Sequence, residues 1–196
     1  MTRNRERELR RCHWAKGPRM VEYHDHEWGV PLHDDRKLFE LLILEGAQAG
    51  LSWETILNKR ENYRRVFDRF DPVKISRYKG RKVRALLRDS GIVRNRLKIA
   101  ATITNAHAFL ALRKEFGTFD HYVWGFVDRK SRVNHRRGPR SVPVRTAESD
   151  ALSRDLKKRG FRFVGTRICY AFMQAAGLMN DHTLVCFRRK ELLSRS

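Results

Sequence analysis

The sequence predicts an all-α protein, and three observations carry that reading. From Asp35 onward, apolar residues recur at helical spacing along most of the chain. Cap and stop residues punctuate the pattern, with Asp34, Asp71-Pro72 and Thr146 at starts and Gly117 and Gly160 at ends. Strand-like alternation is confined to residues 161–164, too short to found a sheet. In chain order, residues 1–11 read as a flexible basic arm with arginines at 3, 5, 7, 10 and 11. Residues 12–190 read as a single domain. Asp34-Asp35 caps a helix that turns Leu38, Phe39, Leu41 and Leu42 inward. Residues 51–70 continue as helix on Ile56, Leu57, Tyr63, Val66 and Phe67. Asp71-Pro72, an N-cap followed by proline, opens a short helix that stops near Gly80. Residues 81–89 and 94–114 form a helical pair joined by Ser90-Gly91-Ile92-Val93. An aromatic-rich helix occupies 119–127, then a loop 128–145. Thr146 caps a helix running to Lys158. The last long helix spans 168–178, and Asn180-Asp181 interrupts it before His182 begins another turn.

The chain has 196 residues, with 43 lysines and arginines against 22 acids, a formal charge of +21. Such an excess gathers polyanions, and DNA or RNA is the first partner it implies. No run approaches the roughly 18 apolar residues that cross a bilayer, and the N-terminus lacks the apolar core of a signal peptide. A cytoplasmic monomer with no membrane partner is expected. The three cysteines, Cys12, Cys169 and Cys186, do not form a disulfide framework and should be thiols or metal ligands.

Glu45 is the most telling residue. It ends the apolar run Leu41-Leu42-Ile43-Leu44, where a lone carboxylate is costly unless something satisfies it. On a helix, Glu45, Ala49 and Trp53 share roughly one face. An anion beside an indole, across small residues, makes a slot for a flat cationic ring. The plainer reading is a core helix whose Glu pairs with an arginine. In the hairpin, Gly91 allows a tight turn, Ser90–Arg94 would point successive N–H groups outward, and Arg94, Arg96 and Lys98 reinforce a phosphate site. The loop 129–145 carries seven Lys/Arg and no acid, and reads either as a second DNA contact or as a solvated loop. Cys12 with His24, and His182 with Cys186, bracket the chain. Two thiolates and two imidazoles would complete a closed tetrahedral zinc shell of structural type, with His13 and His26 as neighbouring competitors.

These segments resemble the 3-methyladenine DNA glycosylase I family. The matching residues are Tyr23-His24-Asp25-His26-Glu27-Trp28-Gly29-Val30-Pro31, Leu44-Glu45-Gly46-Ala47-Gln48-Ala49-Gly50-Leu51-Ser52-Trp53 and Lys59-Arg60-Glu61-Asn62-Tyr63. Further matches are Lys157-Lys158-Arg159-Gly160-Phe161 with Phe163-Val164-Gly165, and Ile168-Cys169-Tyr170 leading to Asn180-Asp181-His182. The resemblance implies a helix-hairpin-helix DNA glycosylase fold with its hairpin at 90–94, contacting DNA through Gly91, Ile92, Val93, Arg94 and Lys98. It implies a structural zinc on Cys12, His24, His182 and Cys186, stapling the N- and C-terminal segments. It also implies a flipped-base pocket in which Glu45 bonds the base edge, Tyr23 and Trp53 stack on it, and Trp14 and Trp28 stand nearby. Leu51 matches a position that wedges into the DNA stack. Met20 stands where the family often has a second tyrosine, and the 129–145 loop is more basic than expected.

The activity implied is hydrolytic release of 3-methyladenine from double-stranded DNA containing alkylated purines, leaving an abasic site. Methylation at N3 puts a positive charge on adenine and makes it a good leaving group, so no strong general acid is needed. The enzyme must extrude the nucleotide, hold the cation and admit water. Related glycosylases that cut undamaged-like bases use an aspartate after a Gly-Pro pair. Here Arg140 follows Gly138-Pro139. The alternative is a non-catalytic, zinc-stapled nucleic-acid-binding protein, which leaves Glu45 idle. A zinc hydrolase would need an open coordination position, and the four-ligand shell leaves none.

Overall fold

The computed structural model describes residues 9–194. Ten α-helices are found among them: α1 (Pro18–His26), α2 (Asp35–Gln48), α3 (Trp53–Val66), α4 (Pro72–Ser76), α5 (Gly80–Arg88), α6 (Arg96–Phe116), α7 (Phe119–Trp124), α8 (Ala147–Lys158), α9 (Thr166–Ala175) and α10 (Phe187–Leu193). Three capping residues act as their positions predict. The side chains of Asp34, Asp71 and Thr146 accept from the opening N–H groups of α2, α4 and α8. Helix α2 is the axis of the molecule and packs against α3, α6, α7 and α9. Its Leu38, Phe39 and Leu42 are buried, and Phe39 meets Phe109 of α6 at 4.8 Å between ring centres. Phe109 in turn meets Phe119 of α7 at 4.9 Å. Each such ring, fully buried, contributes about 1.5–3 kcal/mol.

Three departures from the expected layout shape the surroundings of Glu45 and the Cys/His pairs. Helix α1 is the first, a helix the periodicity does not predict, although Gly17-Pro18 starts it and Tyr23 and His24 form its buried side. The helix expected at 51–70 stops at Val66. Asp68, Arg69 and Phe70 then take left-handed backbone angles, which Phe67 and Phe70 offset by burying their rings. The 128–145 segment is not wholly irregular. Two-residue strands β1 (Arg132–Val133) and β2 (Met179–Asn180) pair in parallel, and Arg136 bridges to Thr183. His182 therefore lies in extended chain and begins no helical turn; Cys186 is the residue before α10. So short a pairing has no periodicity to read.

Helix α9 ends where the chain after α1 crosses it. A Cβ at Gly177, whose φ is +76°, would lie 2.5 Å from the backbone of Val30 and Pro31. Leu32 N–H donates to the Ala176 carbonyl at 3.1 Å. That close crossing holds the end of α1 against the segment leading to His182. Of the basic arm, residues 1–8 lie outside the described residues. Arg11 is held by Asp25, to which its Nε and Nη2 donate at 2.7–3.0 Å.

A candidate base pocket and metal centre

The end of α1, the end of α2 and the start of α3 converge on one cavity of about 380 Å³. Its wall holds Trp14, Met20, Tyr23, Trp28, Glu45 and Trp53, the six residues the sequence proposed for a base pocket. Tyr23 and Trp53 stand 5.5 Å apart, ring centre to ring centre, and tilted by 49°. Trp14 meets Trp28 edge-on at 5.0 Å. Glu45 is only 3% exposed and forms no ion pair with an arginine. Burial alone pushes its carboxyl up to about 8, because nothing nearby stabilises the anion. Among the described residues, four buried side-chain polar atoms lack a hydrogen-bond partner, and Glu45 Oε2 and Trp53 Nε1 are two of them. An unsatisfied group of this kind costs about 1–3 kcal/mol, and Glu45 on the wall of this cavity is placed to be satisfied by a polar ligand. Tyr23, buried beside Glu45, is held well above the usual phenol range, first by burial and then by the acid's charge, and so stays neutral.

Sequence reasoning missed the far wall. Gln48, Pro139, Val142, Gln174 and Asp181 also line the cavity. Asp181 is buried, with Asn134 Nδ2 and Arg136 Nε donating to Oδ1 at 2.8 and 2.6 Å. Its Oδ2 accepts from the Tyr170 hydroxyl and from Gln174 Nε2. Four donors on one carboxylate make it a strut that fixes Gln174 and the 128–145 segment to the pocket. The Asn180-Asp181-His182 triplet is visible in the sequence, but the partners of Asp181 come from other elements.

Beside the aromatic wall, Cys12, His24, His182 and Cys186 meet, all buried, with their ligand atoms within 4.8 Å of one another. Cys12 Sγ lies 3.6 Å from His182 Nδ1, and Cys186 Sγ lies 3.4 Å from both His24 Nε2 and His182 Nδ1. Ligands at tetrahedral angles around zinc, with Zn–S near 2.3 Å and Zn–N near 2.05 Å, would stand about 3.5 Å apart. The donor set and its spacing therefore fit a metal. The outer ring nitrogens are also engaged: His24 Nδ1 with Asp25 Oδ1 at 2.7 Å, and His182 Nε2 with the Trp28 carbonyl at 3.1 Å. His13 and His26, the competitors, are outside the cluster. Trp28 stands edge-on against His182 at 4.6 Å, so the cluster braces the pocket wall.

The hairpin between α5 and α6 differs from expectation in three ways. The Gly91 N–H donates to Asp89 Oδ1 at 2.8 Å, Ile92 N–H to the Asp89 carbonyl at 3.4 Å, and Val93 N–H to the Tyr63 hydroxyl at 3.1 Å. Two of these groups are spent inside the turn and the third on α3, so none points outward. Gly91 is not among the positive-φ glycines; a Cβ there would lie 1.9 Å from Asn62 Nδ2, so close approach requires the glycine. Lys98 Nζ donates to the carbonyls of Ala47 and Ala49, both at 2.7 Å, drawn by the partial negative charge at the end of α2. Arg94 and Arg96 remain exposed at the turn, and Leu51 is 42% exposed beside the pocket.

The family model described as methyladenine glycosylase matches residues 14–189. The chain is similar to DNA-3-methyladenine glycosylase 1 of Escherichia coli (strain K12), 51% identical over 179 residues, covering 91% of this chain and 96% of that protein. It is 48% identical over 177 residues to the DNA-3-methyladenine glycosylase of Haemophilus influenzae, covering 90% of this chain and 96% of that protein. Among solved structures, it resembles the 3-methyladenine DNA glycosylase I of Staphylococcus aureus, determined for the structural basis of its 3-methyladenine recognition. The TM-score is 0.87 at 35% identity, covering 89% of this chain and 93% of that one.

Proposed function

The chain belongs to the methyladenine glycosylase family, and on that footing we propose how its residues release 3-methyladenine from DNA. It is a base-excision repair glycosylase. The observation that carries the mechanism is Glu45, a buried, unpaired carboxyl on a cavity walled by Trp14, Tyr23, Trp28 and Trp53. A neutral purine gains nothing from ionising Glu45, whereas an N3-methylated adenine brings the positive charge that the carboxylate lacks. The lesion is selected by completing an ion pair in a place where neither partner is well solvated. Tyr23 and Trp53 stack on the ring, each contributing about 1–3 kcal/mol toward the cost of extrusion.

Glu45 then holds the departing base rather than protonating it. As the glycosidic bond breaks, its electron pair stays with the base, which leaves as neutral 3-methyladenine; water adds to the cationic sugar carbon and releases a proton to solvent. The product is an abasic site. Asp181, already engaged by four donors, frames the pocket in this scheme. Leu51 would fill the space that the extruded base leaves in the stack. The helix–turn–helix of α5 and α6 would serve as the helix-hairpin-helix that grips the backbone, through Arg94 and Arg96 rather than through its turn amides. Cys12, His24, His182 and Cys186 would hold a zinc ion. Its role when bound would be cohesion, because side chains take all four positions. The purely DNA-binding alternative leaves the unpaired Glu45 without a use.

The direct test is incubation with alkylated genomic DNA and chromatography of the freed bases. Wild-type protein should release 3-methyladenine as the main product. Intact duplex with no freed base would reject the reading.

A further inference from the structure

We propose that the segment 134–142 is a DNA-binding lip of the base pocket, with Arg137 and Arg140 contacting the phosphates that flank the extruded nucleotide. This rests on the glycosylase reading and adds a surface to it. Pro139 and Val142 line the cavity, so this segment forms part of its rim. It is built, not draped. Asn134 N–H donates to the Asn180 carbonyl at 3.0 Å, and Leu184 N–H to the Arg136 carbonyl at 2.9 Å. Arg136 reaches inward to Asp181, and its Nη1 donates back to the Ser141 carbonyl at 3.0 Å. Ser141 closes the Gly138–Ser141 turn.

Of the seven cations from 129 to 145, four side chains are engaged among the described residues and three are not: Lys130, which lies outside the lip, and Arg137 and Arg140 within it. Arg129 is engaged with His121, Arg132 with Asp128, Arg136 with Asp181 and Arg145 with Asp150. Arg137 and Arg140 are exposed and have no acidic partner among the described residues. They sit on either side of Gly138-Pro139, on a rim that contains no acid from 129 to 145. A nucleotide whose base fills this cavity is tethered to two phosphates, one sugar away on each side, so those phosphates must lie at the mouth. Two unneutralised guanidiniums held there by a braced turn have the geometry to meet them.

The test is Arg137→Ala/Arg140→Ala in the full chain, with Lys74→Ala as control. Lys74 shares a cleft with Asp34 at the start of α2, about 15 Å along that helix from Glu45. Duplex binding is measured against salt concentration, and base release from methylated duplex is followed in parallel. Each lost phosphate contact should make the log–log salt slope shallower by about 0.9, so the double variant should lose about 1.8 and bind about tenfold more weakly at low salt. Free 3-methyladenine should quench tryptophan fluorescence with unchanged affinity. A wild-type slope and affinity in the double variant, or an equal loss in Lys74→Ala, would overturn the lip. Absence of base release by wild-type protein would instead reject the glycosylase reading, leaving the salt slope to decide the lip separately.

Discussion

Glu45 is a carboxyl that the fold has deprived of water without giving it a counter-charge, and its ionisation near pH 8 is the consequence. Because the anion is the form that holds a cationic base, kcat/KM for methylated DNA should rise as pH climbs toward 8. Glu45→Gln should remove this limb and lower kcat/KM by about ten- to a hundredfold, matching the 1.5–3 kcal/mol of a hydrogen bond to a charged group. A pH–rate series on both proteins checks this; an unchanged rate in the variant would take Glu45 out of the mechanism. Trp53→Ala should cost about 1–3 kcal/mol of stacking and show mainly as weaker binding of free 3-methyladenine, read by calorimetry. Met20 also lines the pocket, with a thioether and no hydroxyl to offer a base.

Among elements, the hairpin and the Cys/His cluster owe their shape to contacts far away in sequence. Gly91 is needed because Asn62 of α3 occupies the space a Cβ would take, while Asn62 itself bonds Asp89 at 2.8 Å. Gly91→Ala should therefore lower the melting temperature, and Gly91→Ala/Asn62→Ala should recover part of the loss, a non-additivity that thermal melts can measure. The cluster joins the segment before α1, and α1 itself through His24, to the segment before α10. Chelation, or Cys186→Ser, should lower the melting temperature and release about one equivalent of zinc by elemental analysis. If chelated protein melts at the temperature of untreated protein, the staple is not a metal.

For the whole molecule, Glu45 also sets how stability depends on pH. Its carboxyl binds its proton more tightly folded than unfolded, so its contribution is full below about pH 4.5 and is lost as pH rises through about 8. Glu45→Gln should be more stable than wild type at pH 8 by up to a few kcal/mol, and the gap should close toward pH 5 in denaturant titrations. The chain's charge of +21 belongs to this scale as well, since it draws any duplex to the surface before a lesion is found. The sequence by itself determined most of the helices, α1 excepted, through caps and 3.6-residue periodicity that act within one turn. It also marked Glu45, Trp53 and the two Cys/His pairs, because an acid in an apolar run and paired soft ligands are costly or idle unless used, whereas Tyr23, Trp14 and Trp28 were marked by the family resemblance alone. Only the tertiary structure decided the rest. Whether Glu45 met an arginine or a void, why Gly91 is glycine, where Lys98 turns, and that Asp181 ties a basic loop onto the pocket all depend on atoms brought together from distant elements. Local sequence carries no record of such meetings, since they are set by packing and not by any residue's own preference.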